Sequence, residues 1–366
     1  MTPRAAFVSF RFGDTDGVSV VARSWMSAFA DAGYDVVTVT GDQAADRTVV
    51  GIGIDAAPTT SVEPADVVDR DPDPALVARL DAALADVDLV VVENLLTIPL
   101  NLPASRALAR VLRGRPALVH HHDPPWHRER FAHIDELPAT DPAWRHVSIN
   151  QALQRELAGR GIESTVIYNG FERPRPLDDT ARAELRAKVR ADVGLGADDL
   201  VVAHPVRAIE RKNLPAAIEL CERLGATYWL LGPAEEGYGP RLDELLAAAR
   251  CPVVHRSCHD TAGIYAAADH ITFPSTWEGF GNPPIEAALH RRTVSVGDYP
   301  VAHELQRFGF RWYTPDDVDA IRAALADPAS IVADLDHDQA IALEHFTVER
   351  VHAELHSLLD AAGWMP

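Results

Sequence analysis

Glu278-Gly279-Phe280-Gly281-Asn282-Pro283-Pro284-Ile285-Glu286 is the stretch from which the fold is read. Before it, residues 268–275 read as a short apolar strand ending in a turn; after it, Ala287-Ala288-Leu289 reads as helix. A glycine-containing loop therefore joins a strand to a helix. Asn282 suits the N-cap, and Pro283 suits the first helical position, where its missing N–H costs nothing. A helix end of this kind offers unpaired N–H groups and partial positive charge to a phosphate. Glu278 and Glu286 bracket it and can accept hydrogen bonds from hydroxyls. A ligand with phosphate in its middle and hydroxyls at both ends, a nucleotide-sugar, fits that layout.

Working outward, strand-like and helix-like segments alternate along the chain. Residues 5–10, 35–40, 88–93, 117–122 and 144–149 read as strands, residues 17–33 as an amphipathic helix, and a second half opens with the apolar run Leu200-Val201-Val202-Ala203. This alternation demands parallel sheets covered on both faces. The expected class is α/β, with two Rossmann-like, doubly wound domains facing a central cleft. The boundaries read as 1–170 for the first domain, 171–198 for a linker and 199–345 for the second. The linker reading rests on Pro174, Pro176 and the charged run from Asp178 to Arg190. A last amphipathic helix, about 346–361, carries Phe346, Val351, Leu355 and Leu359. Ligands of doubly wound sheets bind outside the carboxyl ends of the strands. The chain has two lysines, Lys188 and Lys212. Lys212 lies five positions after Arg207, in the loop between an apolar strand and a helix, so both cations share one strand mouth.

These segments together resemble the family 4 retaining glycosyltransferases of the GT-B fold, over most of the chain. Arg207 and Lys212 resemble the family's diphosphate-binding pair, and Glu278 and Glu286 its paired glutamates. His122-Asp123, closing the run His120-His121-His122, resembles its histidine after a first-domain strand. Val166-Ile167-Tyr168-Asn169-Gly170 resembles its interdomain hallmark. The loop ending at Gly17 resembles its glycine loop, although Asp16 stands where the family often has another glycine. The resemblance implies that the second domain holds a nucleoside-diphosphate sugar and the first an acceptor, and that the last helix crosses back onto the first domain. It implies transfer of a hexosyl group from a UDP- or GDP-sugar to a soluble small-molecule or saccharide acceptor, with retention. Arg207 and Lys212 would stabilise the leaving group, Glu278 would bond sugar hydroxyls and Glu286 the ribose. Gly279, Phe280, Gly281 and Asn282 would line the donor, with Gly17, Gly232 and Arg256 nearby, the last two on the base side. His122, favoured over His120 by its place before Asp123, would bond the transferred sugar. Asp16, Glu93, Asn94, His120 and Trp126 are the acceptor candidates. The alternative is a non-catalytic nucleotide-sugar-binding protein on the same fold.

Strand alternation puts His120 and His122 on one face and His121 on the other. A metal reading of this cluster competes with core histidines, but the sequence shows no complementary ligand set. Asp14-Thr15-Asp16 and Asp71-Pro72-Asp73 are read as accidents of an Asp-rich chain. The cations would replace a metal, so neither metal nor cofactor is expected.

Composition narrows the partners. In 366 residues, 47% hydrophobic and 24% charged content is that of a soluble globular protein. A net charge of −20 argues against nucleic acid and against stable docking on anionic lipid. The start of the chain lacks the apolar core of a signal peptide, and no run reaches membrane-span length, so a cytoplasmic location is expected. Three cysteines argue against a disulfide framework.

Overall fold

The computed structural model describes residues 2–13, 17–41, 45–54 and 71–366. Asp14, Thr15 and Asp16 lie outside them. The chain divides into two compact units, Met1–Gly170 with Val348–Pro366, and Phe171–Thr347.

The first unit carries β1 (Arg4–Val8), β2 (Asp35–Thr40), β3 (Arg47–Thr48), β4 (Leu89–Glu93), β5 (Ala117–His121), β6 (Trp144–Ser148) and β7 (Ser164–Val166). All pairings are parallel, in the order β3-β2-β1-β4-β5-β6-β7. The chain winds one way from β1 to β3 and the other way from β4 to β7, so the direction reverses between β1 and β4. Strand β4 is buried along its whole length, as a central parallel strand must be. Val90 and Val92 face a core with Leu76 and Leu80 of α2 (Pro74–Ala83) and Ala104 and Leu108 of α3 (Leu102–Leu112). Leu89 and Val91 face the opposite core, with Trp25 and Phe29 of α1 (Gly17–Asp31). The last helix, α13 (Val348–Ala361), buries Val351, Leu355 and Leu359 in that same core, which ties the end of the chain to the first unit. Each such side chain contributes roughly 1.5–3 kcal/mol. Helix α4 (Gln151–Ala158) follows β6, capped by Asn150, which accepts from the Leu153 N–H.

The second unit carries β8 (Val201–His204), β9 (Thr227–Leu230), β10 (Val253–His255), β11 (His270–Phe273) and β12 (Thr293–Val296), in the parallel order β10-β9-β8-β11-β12. Here the direction reverses between β8 and β11. Its helices are α5 (Asp179–Val193), α6 (Leu214–Leu224), α7 (Gly239–Ala248), α8 (Thr261–Ala267), α9 (Asn282–Leu289), α10 (Pro300–Gln306), α11 (Val318–Ala326) and α12 (Val332–His345). Residues 171–198, expected as a linker, contain α5. Its Arg190 is 2% exposed and bonds the carbonyls of Gly196, Ala197, Asp199 and Ala267 and the carboxylate of Asp269. This charge is a fastening inside the unit. Among the described residues no helix is long and apolar enough to cross a membrane.

Candidate active site

The reversal points of the two sheets are where doubly wound folds leave a crevice at the strand ends. Arg207, Lys212 and Glu278 lie at one of them, and Glu93 and Gly17 at the other.

In the second unit, the loop after β8 carries Arg207 and Lys212. It closes in a 3₁₀ turn, Glu210–Lys212, and passes through Asn213 at φ 52° into α6. Two bonds staple it to the loop after β11: Asn213 Nδ2 donates to the Pro274 carbonyl (3.2 Å), and Thr276 N–H to the Arg211 carbonyl (2.9 Å). The stapling places Lys212 Nζ 2.5 Å from Glu278 Oε1. Both groups are buried, at 8% and 6% exposure. Lys212 also lies over the Phe273 ring at 4.8 Å, and Arg211 stands 4.0 Å from the other Glu278 oxygen. Burial pushes the Lys212 ammonium below the usual lysine range, and Glu278 offsets part of that. Lys212 and Glu278, read separately from the sequence, are one ion pair spanning the reversal point. Arg207 is held apart: its half-exposed guanidinium bonds Glu235 at 2.6 Å.

Gly281, not Asn282, caps α9, with φ 96°. A side chain there would meet the Tyr299 hydroxyl at 2.6 Å, so the position requires glycine on two counts. Helix α9 begins one residue earlier than expected, and its second and third residues are Pro283 and Pro284. Neither has an N–H. Two of the donors expected at this helix end are therefore missing, and any phosphate here depends more on Lys212 and on the loop before the helix. Phe280 is 4% exposed, its ring packed beside Phe171 and Phe346, which ties the loop to the core of this unit.

Glu286 sits one turn into α9, where its Oε2 accepts from the Tyr265 hydroxyl of α8 at 2.6 Å. Burial raises the Glu286 pKa, and the Tyr265 bond works against that rise. Tyr265 in turn stacks on His290 at 4.8 Å. Sequence reasoning missed Tyr265, since a tyrosine between Ile264 and Ala266 on a short apolar helix reads as core. Gly232 follows β9, and a side chain there would meet the Val206 carbonyl at 2.3 Å. This glycine lets the loops after β8 and β9 touch. Arg256 follows β10 with its side chain exposed; its backbone N–H bonds Leu230, and its carbonyl accepts from Trp229.

In the first unit, Gly17 begins α1 beside the reversal point. Glu93 ends β4 level with His120 on β5. Glu93 Oε2 lies 2.9 Å from His120 Nδ1 and 3.1 Å from His122 Nε2. The alternation expected for the triple histidine is observed, because His121 turns the other way to bond Thr97 and His146. His120 stacks on Trp25 at 3.8 Å. Burial raises the Glu93 carboxyl, but the two imidazoles outweigh it and bring it to about 2, while burial drives His120 down to about 4. Asn94, at φ 61°, accepts the N–H groups of His122 (3.3 Å) and Asp123 (3.1 Å) through Oδ1. Its role here is to fix the loop leaving β5. Trp126 is tied down as well, its indole N–H bonding Glu156 at 2.7 Å and its face covered by Arg160. Among the described residues, Glu93, His120 and His122 are the group with the reach to hold a metal, one ligand atom from each lying within 4.8 Å of the others. Glu93 is the complement that the sequence did not reveal.

Residues 15–174 match the model of Glycosyltransferase Family 4. The mannosylglucosylglycerate synthase of Thermotoga maritima is 24% identical over 95% of this chain and 97% of its own length. Among solved structures, Anabaena Alr3699/HepE in complex with UDP and glucose superposes with a TM-score of 0.74 at 19% identity, covering 98% of this chain and all of that one. The sucrose-phosphate synthase of Thermosynechococcus elongatus gives 0.71 at 18% identity, covering 98% of each.

Proposed function

We propose that this chain is a family 4 glycosyltransferase on the GT-B fold, and that it moves a hexosyl group from a UDP- or GDP-sugar to a small soluble or saccharide acceptor, with retention and without a metal. The observation that carries this reading is the buried Lys212–Glu278 pair at the β8–β11 reversal point, with Glu286 held one turn along α9 by Tyr265. Lys212 and Arg207 meet the diphosphate and stabilise the charge that grows on it as the glycosidic bond breaks. Such preorganised charge is worth roughly 3–4 kcal/mol per donor. Glu278, beside that charge, accepts from hydroxyls of the transferred sugar, and Glu286 from the ribose. His122 is assigned to a sugar hydroxyl. No carboxylate is assigned as a nucleophile on the sugar's far face, so front-face attack is the favoured course, with the leaving phosphate taking the acceptor proton. The UDP and glucose bound by the Anabaena protein support a UDP-sugar donor. The relatives named for mannosylglucosylglycerate and sucrose phosphate support a saccharide-like acceptor.

A panel of UDP- and GDP-sugars tests the reading, first by thermal shift, since a ligand that prefers the native state raises its melting temperature, then by transfer and donor hydrolysis. Turnover that survives EDTA is expected. Binding without any turnover would leave a non-catalytic sugar-nucleotide-binding protein. Activity lost to EDTA and restored by manganese would instead move a metal into the mechanism.

A further inference from the structure

The cluster at the end of β4 and β5 has a hydrogen-bond logic of its own. An ionised carboxylate only accepts. Both imidazoles reach the same oxygen of Glu93, so both must donate, His120 through Nδ1–H and His122 through Nε2–H. The two rings are thereby held in opposite tautomers. What each has left over differs. Among the described residues His120 Nε2 is buried without a partner, in a ring stacked on Trp25. His122 Nδ1 is not among the buried polar atoms that lack a partner, and its side chain keeps 7% exposure. Its backbone is fixed independently, through the bond to Asn94.

We propose that Glu93 is a positioning residue that holds His122 as its Nε2–H tautomer and so presents Nδ1 as a hydrogen-bond acceptor for a substrate hydroxyl. A lone pair at this point repels phosphate or carboxylate oxygens and welcomes an O–H. The group that His122 meets is therefore a sugar or acceptor hydroxyl, and His120 serves as packing behind it. The identity of the ligand rests on the glycosyltransferase reading; the tautomer does not.

Imidazole-¹⁵N-labelled protein gives the direct test, through long-range ¹H–¹⁵N spectra in which the two rings are assigned by their loss in His120→Asn and His122→Asn. The expected result is Nδ1–H for His120 and Nε2–H for His122. His122 found as Nδ1–H overturns the proposal, and so does a stoichiometric divalent cation retained by the wild type and lost in Glu93→Gln, because coordinating imidazoles offer lone pairs to the metal instead of donating to Glu93. In kinetics, Glu93→Gln is expected to lower kcat/KM about tenfold to a hundredfold, the scale on which partners that orient a histidine act, while the affinity for free UDP or GDP stays within twofold. A loss no larger than the fall in folded fraction overturns the role. If no sugar nucleotide supports transfer, the functional reading fails, and the wild-type spectra still decide the tautomer.

Discussion

Lys212 and Glu278 change what a substitution at either position means. A loop lysine in a sequence suggests a residue that can be removed without touching the core. In the structure it is a buried cation 2.5 Å from a buried anion, and removing one partner strands the other, at a cost of roughly 3–5 kcal/mol. Both Lys212→Ala and Glu278→Gln are therefore expected to lower the melting temperature as well as kcat. They part on ligand binding. Glu278→Gln leaves Lys212 without its counter-charge, a role that a diphosphate can take over, so free UDP or GDP should bind more tightly and restore much of the lost stability. Lys212→Ala should bind either nucleotide more weakly. Calorimetry on both variants decides it, and weaker nucleotide binding by Glu278→Gln would remove Lys212 from the diphosphate site. The residue types were legible in the sequence, at the spacings the family uses. Their direct contact was not, because a pairing across 66 positions depends on which two strands the sheet places side by side.

At the scale of elements, β1, β2, β4, β5, β6, β8 and β11 were legible as apolar runs, since a buried parallel strand leaves little alternative. What one helix does for another was not. Tyr265 of α8 donates to Glu286 of α9, and nothing in Thr261-Ala262-Gly263-Ile264-Tyr265 marks its hydroxyl as aimed at a neighbouring carboxylate. Arg190 of α5 is a like case: a charged run in the sequence does not show which carbonyls it binds. The Tyr265 contact carries a prediction. Tyr265→Phe keeps the ring and its stacking on His290 but frees Glu286. An interaction with a non-reacting part of the donor affects ground and transition states alike. The variant should thus raise the donor KM about three- to tenfold, as loss of a hydrogen bond worth about 1 kcal/mol implies, with kcat close to wild type. A fall in kcat at unchanged KM would place Glu286 on the reacting sugar instead of the ribose. On α12, Asp338 is buried beside the backbone N–H of Arg311, and burial raises its pKa to about 6. A carboxyl raised in the folded state destabilises it increasingly from about pH 4 to 6 and fully above. Asp338→Asn should therefore raise the melting temperature at pH 8 and leave it nearly unchanged at pH 4; equal effects at both would refute the assignment.

Both units bury histidines in the neutral form, and this sets how the whole molecule meets acid. Burial lowers His120 and His146 to about 4 and His121 well below its usual value in the first unit. In the second it lowers His204 and His270 to about 3 and His290 to about 4. Below the ordinary histidine value near 6.5 the unfolded chain binds protons that these folded sites refuse. Stability is then full above about pH 6.5 and falls with pH until each folded pKa is reached, at up to about 1.4 kcal/mol per site per pH unit. Asp338 and Glu286, whose pKa values are raised, oppose this as pH falls, and so does relief of the net charge of −20, but the histidines outnumber the two carboxyls. Urea unfolding should show several kcal/mol less stability at pH 5 than at pH 7, enough to unfold a domain of ordinary stability. His270 offers the sharpest check. Its ring is fully buried and bonds Thr293 and Ser295 at 2.8 and 3.1 Å, so His270→Gln keeps polar partners for both hydroxyls while removing the titration. The variant is expected to lose some stability at pH 7 and to fall less steeply toward pH 5, with one proton fewer taken up on unfolding at pH 5. An unchanged slope would mean that His270 is already protonated in the folded protein, and that the acid sensitivity has another source.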